Sequence, residues 1–173
     1  YEKDIAKLSA ALQEHAWDEN CGYFSYVLHD EKDEPVEFFK DPNGVNFNMG
    51  MDGLSPLVAG ACTEKQQKIL LEKLESPEHF LTPVGLSTVD KAAPYYREDG
   101  YWNGSVWMPH QWFFWKAALD AGKSTLARKI ALTALELWQS ECVRTNYCFE
   151  HFDIGSKRGC MCHNFSGLSS PVL

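Results

Sequence analysis

The sequence has few basic residues and no long apolar run. Its 16 Lys and Arg are outnumbered by 24 Asp and Glu, so the net charge is -8 and the pI is near 5.2. A surface that binds nucleic acid needs clustered Lys and Arg, so we expect no nucleic acid partner. A membrane-spanning helix needs roughly 20 consecutive apolar residues. No stretch approaches that length, and we expect no membrane partner.

Cysteine is too sparse to build the fold from disulfides. The chain has 6 Cys in 173 residues, whereas disulfide-built mini-domains are short and dense in cysteine. The only local cluster lies in residues 142–162. Cys148, Cys160, Cys162 and His163 lack the Cys-x2-Cys spacing of a zinc knuckle. We therefore predict no metal there, and a disulfide or free buried thiols remain as alternatives.

The sequence also lacks a linker, a low-complexity segment and a visible signal peptide. It begins at Tyr1 and stops in an apolar segment that starts at Phe165. We expect one domain over residues 1–173 that is cut at both ends. Neither the cysteines nor the termini indicate a compartment.

Hydrophobic residues make up 45% and aromatic residues 13% of the chain, which is enough for a real core. Apolar spacings of three and four predict an amphipathic helix over residues 2–16. Residues 17–30 allow a short strand or an extended arm, and residues 30–46 look like a loop. Residues 50–61 predict an apolar helix that should be buried on nearly all sides. Thr63 is the expected N-cap of a charged surface helix over residues 64–75.

The same alternation returns in the second half. Residues 104–121 predict a helix that is apolar nearly all round and that Gly122 ends. Ser124 is the expected cap of an amphipathic surface helix over residues 125–142. Its apolar stripe is expected to hold Leu126, Ile130, Ala134 and Leu137, and Glu141 is expected to lie elsewhere. Two concentric rings of helices would produce this alternation, and so would an ordinary helical bundle, although bundles usually have short loops. The long loops at 76–103 and 143–165 are therefore expected to carry the functional site.

Three motifs in these loops resemble glycoside hydrolase family 63 and trehalase-like enzymes. The first is Ser-Pro-Glu-His-Phe at 76–80 with Thr-Pro-Val-Gly-Leu-Ser-Thr-Val at 82–89. The second, Gly-Tyr-Trp-Asn-Gly-Ser-Val-Trp at 100–107, is similar to the family's Tyr-Trp-Arg-Gly-Pro-x-Trp element. The third is Phe-Glu-His-Phe-Asp at 149–153, followed by Gly155 and by Phe-Ser-Gly-Leu at 165–168. The motifs stand in the family's order, and the resemblance spans nearly the whole chain.

The resemblance implies an all-α (α/α)6 toroid, of which this chain would be the C-terminal part, about half of the barrel. It implies hydrolysis of a glycosidic bond with inversion, with Glu150 as the general base. The general acid would be an Asp on a loop nearer the N-terminus, in a region that this sequence lacks. No cofactor is implied, and a structural calcium ion is left open.

Glycoside hydrolysis usually needs two carboxylates, one as acid and one as base. Glu150 lies between Tyr147, Phe149 and Phe152, an aromatic setting that would exclude water. Without the resemblance, a surface glutamate in a loop would be the simpler interpretation.

The remaining candidates are expected to bind substrate. Sugar rings stack on aromatic faces, and a polar side chain on a buried-type segment should be paired or face a cavity. Each has a plainer alternative: a core ring, a satisfied buried histidine, or a helix cap. Asn103 stands where the family has Arg, which hints at altered specificity. The candidates are Tyr101, Trp102, Asn103, Trp107, His110 and Asp52.

We expect an inverting, exo-acting glycosidase on α-glucosides or related α-linked oligosaccharides. The alternatives are a carbohydrate-binding fragment without catalysis, a helical interaction protein, and a toroid glycoside phosphorylase. Half a toroid would expose apolar inner helices. Self-association or binding of a missing N-terminal half is therefore expected.

Overall fold

The computed structural model describes residues 1–169, and these form two compact units, one over residues 1–70 and one from residue 71 onward. Helices are the longest elements, joined by two-stranded antiparallel sheets. The elements of the first part are α1 (Glu2–Ala11), a π-helical turn (Leu12–Ala16), β1 (Trp17–Asp18), β2 (Tyr23–Phe24), β3 (Val27–His29), β4 (Pro35–Phe38), a 3-10 turn (Met51–Leu54), α2 (Ser55–Val58) and α3 (Glu64–Glu75). The later ones are β5 (Leu81–Thr82), β6 (Gly85–Leu86), α4 (Met108–Asp120), α5 (Ser124–Thr145), β7 (His151–Phe152), β8 (Gly159–Cys160) and α6 (Ser166–Ser169).

Short hairpins are the main departure from the all-α expectation. The strands pair as β1–β2, β3–β4, β5–β6 and β7–β8. Of the two alternatives for residues 17–30, the short strand is confirmed, and three of these strands lie there. The loop predicted over residues 30–46 is wrong at β4, because Val27 and Leu28 pair with Phe38 and Glu37.

The first helix has the predicted extent, since α1 and the π-helical turn together cover residues 2–16. Its apolar stripe is less buried than expected, because Ile5 and Leu8 are exposed. The segment at 50–61 is shorter than predicted. It forms one 3-10 turn and one α-helical turn, and Asp52 on it is exposed although its neighbours Met51 and Gly53 are buried.

Helix α3 confirms the predicted cap. The Gln66 backbone N–H donates to Thr63 Oγ1 at 3.3 Å, and the Thr63 backbone N–H donates to Gln66 Oε1 at 2.9 Å. This reciprocal pair is a capping box, which satisfies two N–H groups that the first turn leaves without helical partners.

Helix α4 starts four residues later than predicted. Pro109 favours the first turn of a helix, and Val106 instead makes an antiparallel bridge with Phe152. Gly122, with a φ of 70°, follows the end of α4 as expected. The predicted cap at Ser124 is wrong, because Ser124 is already helical and Lys123 precedes α5 without a side-chain cap.

Helix α5 buries the predicted stripe against the core of the second unit. Leu126, Ile130, Ala134 and Leu137 are all buried. Glu141, which the helical pattern placed on the exposed side, is also buried. Its Oε2 accepts hydrogen bonds from Arg144 and from Arg158 Nε, the latter at 3.3 Å. The core around α5 contains Val84, Val106, Met108, Ala134, Leu137, Phe152 and Ile154.

Candidate active site

The β7–β8 hairpin fixes the backbone beside Glu150. The Glu150 N–H donates to the Cys162 carbonyl at 3.0 Å. Two residues later, Phe152 exchanges two backbone hydrogen bonds of 2.9 Å with Val106. Val106 lies just before α4, so the segment that carries Glu150 is held against the segment that carries the second motif.

The loop before α4 contains two closely packed glycines, one against backbone and one against a side chain. A Cβ on Gly104 would lie 1.6 Å from the Arg97 carbonyl oxygen. A Cβ on Gly100 would lie 2.2 Å from Asn103 Oδ1. The Asn103 side chain also donates to the Tyr95 carbonyl at 2.7 Å. Asn103 therefore shapes the loop, a role that the family comparison of this position did not suggest.

Three flat rings form a continuous stack. The ring centroids of Trp102 and Trp107 lie 3.8 Å apart with an interplanar angle of 12°. Those of Trp107 and His151 lie 5.2 Å apart with an angle of 13°. Trp107 is 1% exposed and Trp102 is 53% exposed. Trp107 is thus a core ring, and Trp102 ends the stack at the surface.

Tyr101 joins this stack to the carboxylate. Its ring meets Trp102, Trp107 and His151 edge-on, with centroids 5.0 to 5.5 Å away. Its carbonyl accepts a hydrogen bond from Trp107 Nε1 at 2.8 Å. Its hydroxyl donates to Glu150 Oε1. This bond, followed by desolvation and the charge of Glu150, raises the pKa of Tyr101.

His151 is a site residue that the sequence analysis missed. It is buried, and its Nδ1 has no hydrogen-bond partner among the described residues. Burial lowers the pKa of His151, against the opposing effect of the Glu150 and Asp153 charges. Its only signal in the sequence is its place directly after Glu150.

The other predicted residues lie at two places. His110 is in the first turn of α4, and its ring lies edge-on to Trp102 at 6.0 Å. The second unit therefore brings together Tyr101, Trp102, Trp107, His110 and Glu150. Asp52 lies in the first unit, where Tyr26 Oη donates to its Oδ2 at 2.9 Å.

The cysteines are free thiols. The Cys142 thiol donates to the Tyr147 carbonyl at 3.2 Å. Burial, followed by the neighbouring Cys148 thiol, raises the pKa of Cys142 to about 11. Within residues 1–169, no three His, Cys, Asp or Glu side chains come together as metal ligands. No helix among these residues is long and apolar enough to cross a membrane.

Comparison with solved structures shows a shared fold over nearly the whole chain. The GH63 mannosylglycerate hydrolase from Thermus thermophilus in complex with glucose is 24% identical, with a TM-score of 0.75; the match covers 99% of this chain and 39% of that one. The neutral trehalase from Saccharomyces cerevisiae is 19% identical, with a TM-score of 0.68, over 98% of this chain and 29% of that one. This chain thus spans less than two-fifths of either structure.

A family model gives the closer assignment. The model of the mannosylglycerate hydrolase MGH1-like glycoside hydrolase domain matches residues 1–166. The resemblance to glycoside hydrolase family 63 and trehalase-like enzymes is confirmed by this match and by the two structures. The chain belongs to the MGH1-like glycoside hydrolase domain family.

Proposed function

We propose that this chain supplies the general base and part of the sugar pocket of an inverting glycoside hydrolase. The observation that carries the proposal is the Tyr101 hydroxyl bonded to Glu150 beside an exposed aromatic stack. A carboxylate held in a fixed direction next to a sugar-sized flat ring is what water activation at a pyranose requires.

Glu150 would accept a proton from the water that attacks the anomeric carbon. An inverting enzyme holds its acid on the other side of the sugar, roughly 6.5–9.5 Å from the base. We propose that this acid is an Asp outside the present sequence. The chain would then be the C-terminal part of an (α/α)6 toroid, about half of its barrel.

The sugar would stack on the exposed face of Trp102. His110 and Tyr101 would border the same ring, whereas Trp107 would support it from below. Asn103 would act on the pocket through the loop that it shapes. Asp52, which lies in the first unit, would hydrogen-bond a sugar hydroxyl on that unit. Each proposed role is consistent with the exposure and the contacts described above for that side chain.

The substrate class proposed is an α-linked glucoside or a related α-linked oligosaccharide, cut from its end. The structural relative from Thermus thermophilus is a mannosylglycerate hydrolase. Mannosylglycerate therefore belongs in any substrate panel beside α-glucosides and α-mannosides.

The test compares hydrolysis of this panel by the chain and by its Glu150→Gln variant, alone and mixed with the N-terminal region of the same domain. Glu98→Gln is the matched control, since Glu98 is an exposed carboxylate of the same unit. We expect activity to be lost only with Glu150→Gln, and the released sugar to have inverted anomeric configuration. Equal activity of the two variants, or retained configuration, would rule the mechanism out.

A further inference from the structure

The first unit contains a small sheet with exposed aromatic side chains on one face. Strands β3 and β4 pair Val27 with Phe38 and Leu28 with Glu37. The pairing continues past β4, since the Phe39 N–H donates to the Tyr26 carbonyl at 2.8 Å. The Phe47 N–H then donates to the Phe39 carbonyl at 3.1 Å. Three extended segments thus lie side by side.

The inner face is partly polar. Ser25 and Asn46 point inward and are buried. Asn46 Nδ2 donates to Asp18 Oδ2 at 3.3 Å and also to Ser25 Oγ. Asp18 is buried as well, so a hydrogen-bonded network helps to hold the inner side of these strands, where Val27 and Phe38 are also half-buried.

The outer face is aromatic. Side chains alternate between faces along a strand and match across a pair. Tyr26, Phe39 and Phe47 therefore share the side opposite to Ser25 and Asn46. They are 44%, 39% and 41% exposed, and the rings of Phe39 and Phe47 meet edge-on at 5.1 Å. Leu28 and Glu37 complete this face, which we name the outward aromatic face (Tyr26, Leu28, Glu37, Phe39 and Phe47).

A one-sided sheet normally buries its apolar face and exposes its polar face. On this sheet the outer face also carries exposed rings, and contiguous exposed apolar surface marks binding. Two carboxylates accompany the rings. Glu37 lies on the face, and Asp52 Oδ2 accepts the Tyr26 hydroxyl at 2.9 Å.

These groups favour a neutral polyol over a protein partner. A protein surface that covered the face would take both carboxylates out of water, which costs several kcal/mol unless each is paired. A saccharide can stack its C–H face on the rings and donate its hydroxyls to the carboxylates, while its other side stays in water. The carboxylates would repel an anionic ligand.

We propose that the outward aromatic face binds a neutral saccharide, with Tyr26, Phe39 and Phe47 stacking on it and Asp52 accepting its hydroxyls. The proposal does not rest on Glu150 being a general base. It makes the first unit a saccharide-binding surface in its own right, rather than a scaffold only.

The test measures maltotriose binding to the whole chain by saturation-transfer difference NMR, in the Glu150→Gln background so that no sugar is consumed. The test variant carries Phe39→Ser and Phe47→Ser, which remove two stacking rings. The control carries Phe113→Ser, which removes an equally exposed ring from α4. Far-ultraviolet circular dichroism shows whether each variant keeps its fold.

We expect millimolar binding that weakens about tenfold or more in the double variant and stays unchanged in the control. Tyr26→Phe, which keeps the ring and removes the hydroxyl held by Asp52, should weaken binding less. Equal binding by the double variant and the parent would overturn the proposal, as would absence of binding to the parent. A change of oligomeric state without a change in maltotriose binding would also overturn it and identify the face as a contact between copies.

Discussion

Within the candidate site, the Tyr101 hydroxyl is the group that can be removed with the least change to the surrounding contacts. Tyr101→Phe keeps the ring against Trp102, Trp107 and His151 and deletes only the donor to Glu150. A hydrogen bond to a charged group is worth roughly 1.5–3 kcal/mol. We expect kcat to fall about 10- to 100-fold with little change in KM, as measured by steady-state hydrolysis in the active protein.

The matched control is Tyr147→Phe, since Tyr147 is comparably exposed and also has ring neighbours, Phe149 and His163. A second measurement needs no catalysis. Glu150→Gln should lower the pKa of Tyr101 toward its ordinary value, because the bond to Glu150 is the largest cause that raises it. An unchanged tyrosinate titration, or equal losses of kcat in both Phe variants, would contradict the role given to Tyr101.

The resemblance located Tyr101, Trp102 and Glu150, but it could not give their contacts. The bond from Tyr101 to Glu150 joins residues 49 positions apart, and no local pattern encodes such a pairing. His151 was missed because a histidine beside a predicted base carries no periodic signal of its own. For Trp107 the sequence allowed both a core ring and a pocket ring. Its burial in the structure identifies it as a core ring.

Asp18 gives the protein a stabilising carboxylate with a defined pH dependence. Burial raises its pKa, but hydrogen bonds from Asn20 and Asn46 outweigh burial, and the pKa of Asp18 is lowered below its usual 3.8. A lowered folded pKa contributes stability above the unfolded value, and this is lost as pH falls through the folded value. Asp18→Asn should therefore flatten the loss of stability below pH 3.8.

We expect the same substitution to cost about 1–3 kcal/mol near neutral pH, because it replaces a buried charged acceptor. Urea unfolding of both proteins at neutral and acid pH measures both effects. Asp33→Asn is the control, since Asp33 is exposed and Asn tolerates its positive φ of 62°. A parallel pH dependence for Asp18→Asn and the parent would be inconsistent with this account.

At the scale of elements, the β7–β8 hairpin is held at two points. Val106 pairs with Phe152 on one strand, and Arg158 in the turn reaches the buried Glu141 of α5. Arg158→Ala removes the second point and leaves Glu141 with Arg144 alone. We expect faster amide exchange in residues 151–160 and a loss of about 1–2 kcal/mol of stability.

Hydrogen exchange followed by mass spectrometry measures this local effect. Arg128→Ala serves as the control, because Arg128 lies exposed on α5, the helix that carries Glu141. Uniformly faster exchange along the whole chain would mean that Arg158 contributes to general stability and does not anchor the hairpin. The hairpin carries the residue next to Glu150, so its anchoring matters for the site.

The helices could be predicted from the sequence more fully than the hairpins. Helix α3 follows from a capping box and a charged amphipathic stripe, both of which are local signals. The start of α4 could not be placed from the sequence, because Val106 is extended and makes a β-bridge with Phe152, a residue from a distant segment. Strand pairs of two residues, such as β5–β6, are too short to show any alternation. The buried Glu141 was misplaced because its partner Arg158 lies 17 residues away.

At the scale of the whole molecule, the exposed side of α4 is of interest, because the chain matches only part of larger structures. This helix buries Met108, Phe114 and Ala118 on one side. Its other side exposes Trp112, Phe113 and Leu119. Monomeric soluble proteins rarely leave large rings side by side in water. A helix that is apolar nearly all round therefore points to a neighbour on its exposed side.

We expect the chain alone to self-associate through this side of α4, or to bind the N-terminal region of its domain there. Sedimentation velocity over a range of concentrations should show association that weakens when Trp112→Ser and Phe113→Ser are combined, because the change removes two exposed rings from the contact. Val143→Ser on α5 is the control, since Val143 is also exposed. A strictly monomeric parent that binds no dye specific for exposed apolar surface would defeat the half-barrel interpretation. In that case the exposed rings of α4 would need no partner. The general acid that works with Glu150 would then be expected among these 173 residues.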